Sequence, residues 1–553
     1  MSRRAWGERL APGALGLGLG ALALGPGLGP GFVLRYDMVF VPDAPWSAAA
    51  WGLAGGAPRG FPSSAVVAVL GAVVPGAVLQ KAILLGIFVL GAAGVARLLP
   101  DAPMAARLVA AAAYVWNPYV AERLLIGQWA LLLGYAGLPW AIHAAARHGP
   151  LRLGAALVPA LVGGFAAWTV TAPVIVAVAG VAGAQNLRHG GRPGESRDPR
   201  RGVRDGLVAL GVLVVVALPW LVPSVLSAGI RTDPAGVDLF AARADTPFGA
   251  LGSLLALGGV WNREVVPSGY GQGAVAWIWL ALVLAALAGA WYGRRRITGW
   301  GGLVAGAVIG YGIAAAGVLG PGRAALRWLV EVSPAFGLLR DGQRFVAPLA
   351  VLVAVGLGAG ARAVAEACAR RGAAGSGRLL AGLGVLLPLM LLPTLAYGAA
   401  GRIAAVAYPD DWSRARAIMD ADPEPGAVLA LPWSAYRGFG WNGGRTVLDP
   451  APLYFPRRVI WNDGLQVGDR TLTPEDPAAR AVDAALARPG PILDGHGQVT
   501  APSVRDVVRV RYVLLERQRG RNPNENKFQS RLPSRRLVLQ GTDILLYRLV
   551  TSR

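Results

Sequence analysis

The chain has one cysteine, Cys368, four histidines and two lysines, Lys81 and Lys527, in 553 residues. One cysteine cannot close a disulfide within the chain, and scattered histidines do not make the clustered spacing of a zinc site. Both absences argue against redox and zinc chemistry. The shortage of lysine removes another class. No glycine-rich run carries the lysine that a nucleotide-binding loop needs for its phosphates, so ATP-driven work by this chain alone is not expected. Charge is scarce as well: 15% of residues are charged, against about 25% in a soluble domain.

What is present is apolar surface. Hydrophobic residues make up 54% of the chain, and several Ala/Val/Leu/Gly runs reach the roughly 20 residues that cross a bilayer. The expected class is a mainly α polytopic membrane protein. Spans are expected at about 10–34, 78–99, 104–117, 128–146, 152–167, 171–186, 206–228, 272–293, 300–320, 344–363 and 379–398. That makes about eleven, with 104–117, 152–167 and 171–186 short enough to suggest broken or re-entrant segments. MSRRAWGERL resembles the start of a signal peptide, but the apolar stretch after it is long, lacks a cleavage site and leads into many more spans. It is read as an uncleaved first helix with a cytoplasmic N-terminus.

The formal charge of +22 invites a nucleic-acid reading, which weakens because the bases are nearly all arginine and many fall in short loops between apolar runs. Loops assigned to the cytoplasm, such as NLRHGGRPGESRDPRRGVR and GRRR, hold about 20 basic residues, against about 10 on the other side. No nucleic-acid partner is expected, and an odd span count leaves the C-terminus outside.

From about residue 400 the texture changes. The last 155 residues carry 22 Lys/Arg and 16 Asp/Glu and no span-length apolar run. Short β-like stretches, GAVLALPW, RYVLLERQ, RRLVLQG and DILLYRLV, alternate with Pro, Gly, Asn and Asp clusters and a helix-like DWSRARAIMDAD. The expected organisation is a transmembrane region over 1–400 and a small extracytoplasmic mixed α/β domain over 401–553.

Three clusters could carry chemistry. The first is RYDMVFVPDAPW at 35–46, with Asp37 and Asp43 beside Tyr36, Phe40 and Trp46 in the first outer loop. A carboxylate with limited solvent access suits a general base that takes a proton from a sugar hydroxyl; Asp and Pro also simply favour solvated turns. The apolar stretch that follows, before the next span, fits a helix lying on the membrane surface. The second cluster is NPYVAERLLIGQW, with Glu122, Arg123 and Gln128 among apolar neighbours. Such groups near a bilayer are paired, line a cavity or function; the plain alternative is an interfacial helix with charges reaching water. Glu122 and Arg123 are adjacent and so point in different directions on a helix. The third is SPAFGLLRDGQRFVAPLAV, where Arg340 and Arg344 share a face if the segment is helical. Guanidinium groups match phosphate oxygens in bidentate fashion, and headgroup contact is the alternative. Arg263 and Glu264 are weaker candidates, and GWNGGR at 440–445 could hold a glycan against Trp433, Trp441 and Tyr436.

With these motifs in order, the chain resembles the GT-C superfamily of membrane glycosyltransferases. RYDMVFVPDAPW and NPYVAERLLIGQWALLLGYAGLPW are similar to the N-terminal GT-C region of actinobacterial α-(1→3)-arabinofuranosyltransferases. The resemblance covers about residues 1–400; those enzymes continue through a much longer carbohydrate-binding region than this one. It implies a sugar donor linked to polyprenyl phosphate, a cell-envelope polysaccharide or lipoglycan acceptor, membrane lipids as surroundings, and the cytoplasmic membrane as location. It assigns Asp37 as base with Asp43 second, Arg340, Arg344 and Arg123 to the donor phosphate, and Glu122, Gln128, Trp46 and Tyr36 to the cavity or acceptor. No cofactor is required; a divalent metal is compatible, because carboxylate and phosphate are hard oxygen ligands. The competing classes are a lipid-glycan flippase or an inactive GT-C-like scaffold, and behind them a secondary transporter, whose paired repeats are not evident.

Overall fold

The structure, a computed structural model, describes residues 3–54, 58, 60–147, 150–189, 199–226, 233–467, 470–494, 496–498, 508–517, 528 and 530–550. Part of the most basic expected loop, 190–198, lies outside them. Among the described residues seven helices are long and apolar enough to cross a membrane: Gly7–Leu28, Gly76–Ala96, Trp129–Arg147, Val158–Val181, Gly206–Val225, Gly273–Gly293 and Gly342–Arg370. Two further pairs, Trp300–Ala316 with Gly320–Val332 and Gly375–Leu391 with Pro393–Gly401, pass together but bend by 91° and 70°. This is a multi-pass membrane protein, with seven to nine candidate spans among the described residues.

The difference from about eleven has a local cause. Met104–Val115 is a helix of only 12 residues, too short to span, because Asn117-Pro118 stops it. The stretches expected at 152–167 and 171–186 overlap a single helix, Val158–His189, interrupted where Gly164 takes φ 62°.

By its contacts the chain divides into two units. One comprises 1–28, 81–219 and 234–403; the other comprises 29–80, 220–233 and 404–553. The second unit thus joins residues 29–80 to the C-terminal stretch 404–553.

The first unit is a helical bundle whose backbones approach closely where side chains are absent. A Cβ on Gly356 would strike the carbonyl of Ala286, and one on Gly289 would strike that of Gly356, so Gly273–Gly293 and Ala347–Arg370 pack backbone to backbone. Gly134 and Gly163 do the same between Trp129–Arg147 and Val158–His189, against Ala167 and the Ala130 carbonyl. Apolar burial gives little drive between helices in lipid, so such close packing supplies much of the cohesion.

Among its described residues the second unit contains eleven short strands: β1 (Phe32–Val33), β2 (Ala405–Val406), β3 (Ala427–Leu431), β4 (Tyr436–Gly438), β5 (Thr446–Leu448), β6 (Val459–Ile460), β7 (Gln466–Val467), β8 (Arg470–Thr471), β9 (Val510–Glu516), β10 (Arg535–Gln540) and β11 (Ile544–Leu549). Five form a mixed sheet in the order β10-β11-β9-β3-β6, with β9-β3 and β3-β6 parallel and the other pairs antiparallel. All four β-like stretches read from sequence are strands here, and DWSRARAIMDAD forms the helix Asp410–Asp420. The helix Pro477–Leu486, N-capped by Asp476, lays Ala478, Val482 and Ala485 on Leu429, Leu431, Val513 and Leu515. β3 is buried along its whole length, as expected of an apolar run flanked by strands on both edges.

Replacing Gly356 by leucine is expected to force those two helices apart and lower stability by about 1–3 kcal/mol, the usual range for overpacking. Gly360→Ala meets open space and is the control. The thermal unfolding midpoint in detergent separates them.

Candidate active site

In the second unit, residues 32–43 are built onto the C-terminal stretch. β1 pairs antiparallel with β2, Phe32 opposite Val406 and Val33 opposite Ala405. The buried Gln80 amide closes the other side of Val33, accepting from its N–H and donating to its carbonyl, both at 2.8 Å. Arg35 and Met38 then exchange backbone hydrogen bonds, 2.9 and 3.3 Å, making a two-residue turn with Tyr36 and Asp37 at its tip. Tyr36 has φ 44°, a left-handed conformation that such turns usually give to glycine. The strain, of order 1–3 kcal/mol, is offset by the β4–β5 hairpin. Tyr36 N–H donates to the Thr446 carbonyl at 2.7 Å, and its own carbonyl accepts from Leu448 N–H at 2.9 Å.

The half-buried Asp37 side chain accepts through Oδ1 from the Tyr436 hydroxyl at 2.5 Å. Tyr36 is buried, with its ring 6.0 Å from that of Tyr436. Asp43 differs: it is exposed, has φ 47°, and its carbonyl accepts from Arg416 at 2.7 Å. Both aspartates sit in turns, as their neighbours suggested, but Asp37 is not simply a solvated one. Trp46 is 65% exposed and leans on Trp51 at 5.9 Å.

The first unit gathers the second and third clusters into one buried network. Asn117 caps the helix Pro118–Leu125, accepting from Val120 N–H at 3.0 Å. Its amide donates to the Ala113 and Tyr114 carbonyls and to Tyr135. Every residue of this helix is buried, so the reading of an interfacial helix with charges in water does not hold.

Glu122 and Arg123 point to different partners, as adjacency required. Arg123 is wholly buried and all five of its N–H groups are engaged. Asp341 receives Nη1 and Nη2 at 2.8 and 3.0 Å, Gln128 receives Nη1 at 2.6 Å, and Gln343 receives Nε at 2.8 Å and Nη2. The expectation that Arg123 contacts a donor phosphate is therefore recast: its donors are already taken by side chains. Gln343 turns its amide nitrogen to Glu122 at 3.2 Å and to the Gly258 carbonyl at 3.3 Å. Burial, then the neighbouring Asp245, pushes the Glu122 carboxyl well above its usual range.

Arg340 and Arg344 do not share an α-helical face. Pro334–Leu339 and Gly342–Val346 are separate 3₁₀ turns. Arg340 lies over the Phe240 ring at 5.1 Å. Arg344 donates to Asp341 at 3.1 Å, its carbonyl accepts from Tyr119, and its buried Nε meets no acceptor among the described residues. Of the two arginines bound to Asp341, Arg344 alone retains donor capacity.

Sequence reading did not select Asp341, Gln343 or Asp245 as site residues, and it named Tyr436 only as a possible glycan contact, not as a partner of Asp37. Asp341 and Gln343 stand in the quoted RDGQRF, so a run of polar residues at a span's entrance was the available signal. Asp245 had none. Among the described residues no three His, Cys, Asp or Glu side chains converge as a metal site.

Comparison with protein-family models finds no match, and no curated protein matches in sequence. Solved structures do match. The cryo-EM structure of the arabinofuranosyltransferase AftD from mycobacteria is 17% identical with a TM-score of 0.56, covering 100% of this chain and 40% of that one. A mutant form of AftD gives 16% and 0.56, covering 100% and 42%. The likeness shows a shared fold. Of AftD's length the chain spans about two fifths.

Arg123→Met leaves Asp341 buried with one cation fewer and is expected to destabilise by about 3–5 kcal/mol, read as loss of folded protein in detergent. Glu516 is buried with Arg437 and Asp449. Burial pushes its carboxyl up to about 8, with Arg437 opposing and Asp449 reinforcing. The folded state then holds a proton that the unfolded chain releases near pH 4.5. Stability contributed by this group is full below that pH, falls as pH rises toward 8, and is flat above. The slope for one proton is about 1.4 kcal/mol per pH unit. Glu516→Gln is expected to flatten it in denaturant titrations between pH 5 and 8.

Proposed function

We propose that the chain is a membrane glycosyltransferase. It moves a sugar, arabinofuranose by analogy with its structural neighbours, from a polyprenyl-phosphate donor to a cell-envelope glycan. The site is assigned to the outer face of the cytoplasmic membrane, with the N-terminus inside. The observation that carries the reading is the Asp37 carboxylate, half-buried at the tip of a strained turn and oriented by a hydrogen bond. A solvated turn residue needs none of this.

Asp37 takes the acceptor hydroxyl proton as the oxygen attacks the anomeric carbon, while the carbon–oxygen bond to phosphate breaks and the phosphate leaves with the electron pair. Within the first unit, Arg344, with donor capacity left, and Arg340 are the candidate cations for a donor phosphate. Arg123 acts indirectly by holding Asp341, Gln128 and Gln343, and Glu122 belongs to the same support. Asp43 serves the turn. Tyr36 orients the loop, and exposed Trp46 suits the bilayer interface, where indole rings concentrate.

Asp37→Asn is expected to lower transfer from a polyprenyl-phosphate sugar by about 100-fold or more, measured in membranes with a synthetic oligosaccharide acceptor. Undiminished transfer removes Asp37 as base. Donor-lipid binding by the wild-type chain without transfer to any acceptor favours the flippase or scaffold reading instead.

A further inference from the structure

The hydrogen bond between Tyr436 and Asp37 joins residues 399 positions apart. It is one of several ties between the same two segments. Asn442 donates from its amide to the Leu34 carbonyl at 3.1 Å, and Tyr408 donates to the Phe40 carbonyl at 3.0 Å. With the two backbone bonds of Tyr36, the turn is held through its backbone by β5 and through its carboxylate by β4.

β4 is itself anchored. Arg437, next to Tyr436, lies under a tenth exposed between two carboxyl groups that are as deeply buried. Its Nη1 is 2.5 Å from Glu516 Oε2 and its Nη2 is 3.0 Å from Asp449 Oδ2. It also donates to the Pro432 and Ser434 carbonyls at 2.7 and 3.1 Å. Glu516 ends β9, the middle strand of the five-stranded sheet. Asp449 follows β5, and its Oδ1 accepts from Ala451 N–H at 2.9 Å. Breaking one member of such a group strands a buried charge, so the hairpin has little freedom to swing, and neither does the phenol it carries.

We propose that Tyr436 is a positioning residue of the transfer reaction, fixing the rotation of the Asp37 carboxylate, and that Arg437, Asp449 and Glu516 fix Tyr436. The inference rests on the reading of Asp37 as the base. A carboxylate on a single Cβ–Cγ bond turns freely unless one oxygen is held. A hydroxyl at 2.5 Å holds it and also stabilises the ionised form, which is the one able to accept a proton. The proton of the acceptor hydroxyl passes to the Asp37 carboxylate, and Tyr436 keeps its own proton throughout.

The test uses the full chain in membranes, with a polyprenyl-phosphate arabinofuranose donor and an arabinan oligosaccharide acceptor. Tyr436→Phe removes only the hydroxyl. The expected result is a fall in kcat of about 10- to 100-fold, little change in KM for the donor, and an acid limb of the kcat profile displaced to higher pH. Replacing Tyr436 with a ring-fluorinated tyrosine, a stronger donor of the same shape, is expected to displace that limb to lower pH. A structural role moves neither limb. Should Tyr436→Phe fail to fold, the fluorinated form carries the test alone. An unmoved acid limb in whichever form folds, in a protein where Asp37→Asn abolishes transfer, overturns the inference. Full activity of Asp37→Asn overturns the reading beneath it, so the two failures are distinguishable.

Discussion

Arg123 has five N–H groups and no water to give them to. That constraint organises the polar interior of the first unit: a guanidinium wholly removed from solvent is tolerated only when each donor finds an acceptor. Asp341, Gln128 and Gln343 are those acceptors, and they come from two places in the chain. Gln343 in turn must use its amide nitrogen, which ties Glu122 and the 258 carbonyl into the same network. Asp341 needs a second cation and takes Arg344. A single buried charge thereby fixes the helix Pro118–Leu125 against the entrance of the span Gly342–Arg370 and leaves Arg344 with the spare donor capacity.

The second unit solves a related problem with less charge. β1 has two residues and one strand partner, and an isolated pair of that length is not stable in water. Gln80 supplies the missing edge by imitating a backbone amide, and the β4–β5 hairpin captures Tyr36. The left-handed Tyr36 persists because it is bonded on both sides. The same turn presents Asp37 to Tyr436, so the conformation that costs stability is the one that places the carboxylate.

Composition made the membrane class legible, and strand-like runs such as GAVLALPW and DILLYRLV were readable from alternation and β-branched content. Asn117-Pro118 was readable as a helix boundary. Span number was harder: 104–117, 152–167 and 171–186 stood out as short, but hydropathy does not tell a broken segment from a separate span. Asp37 drew notice through its neighbours, yet its turn could not be told from a solvated one, because Tyr436 lies hundreds of positions away. The same holds for Asp341 and Arg123, 218 residues apart, and for Asp245, which has no local pattern at all. Sequence patterns report periodicity and nearest neighbours; which buried donor meets which acceptor is decided by the fold.

That distinction bears on how the C-terminal stretch is understood. Its short, charged, strand-rich texture suggests an appended domain with an affair of its own, such as gripping an acceptor glycan. The hydrogen bonds argue otherwise. β2 completes β1, β5 holds Tyr36, β4 presents Tyr436, and Tyr408 and Arg416 hold the carbonyls of Phe40 and Asp43. Residues 32–43 thus take their conformation from residues 405–448, and without that stretch the turn would have no reason to keep a tyrosine in left-handed geometry. The first-loop aspartate and the C-terminal sheet form one folding unit, and any chemistry assigned to Asp37 belongs to both.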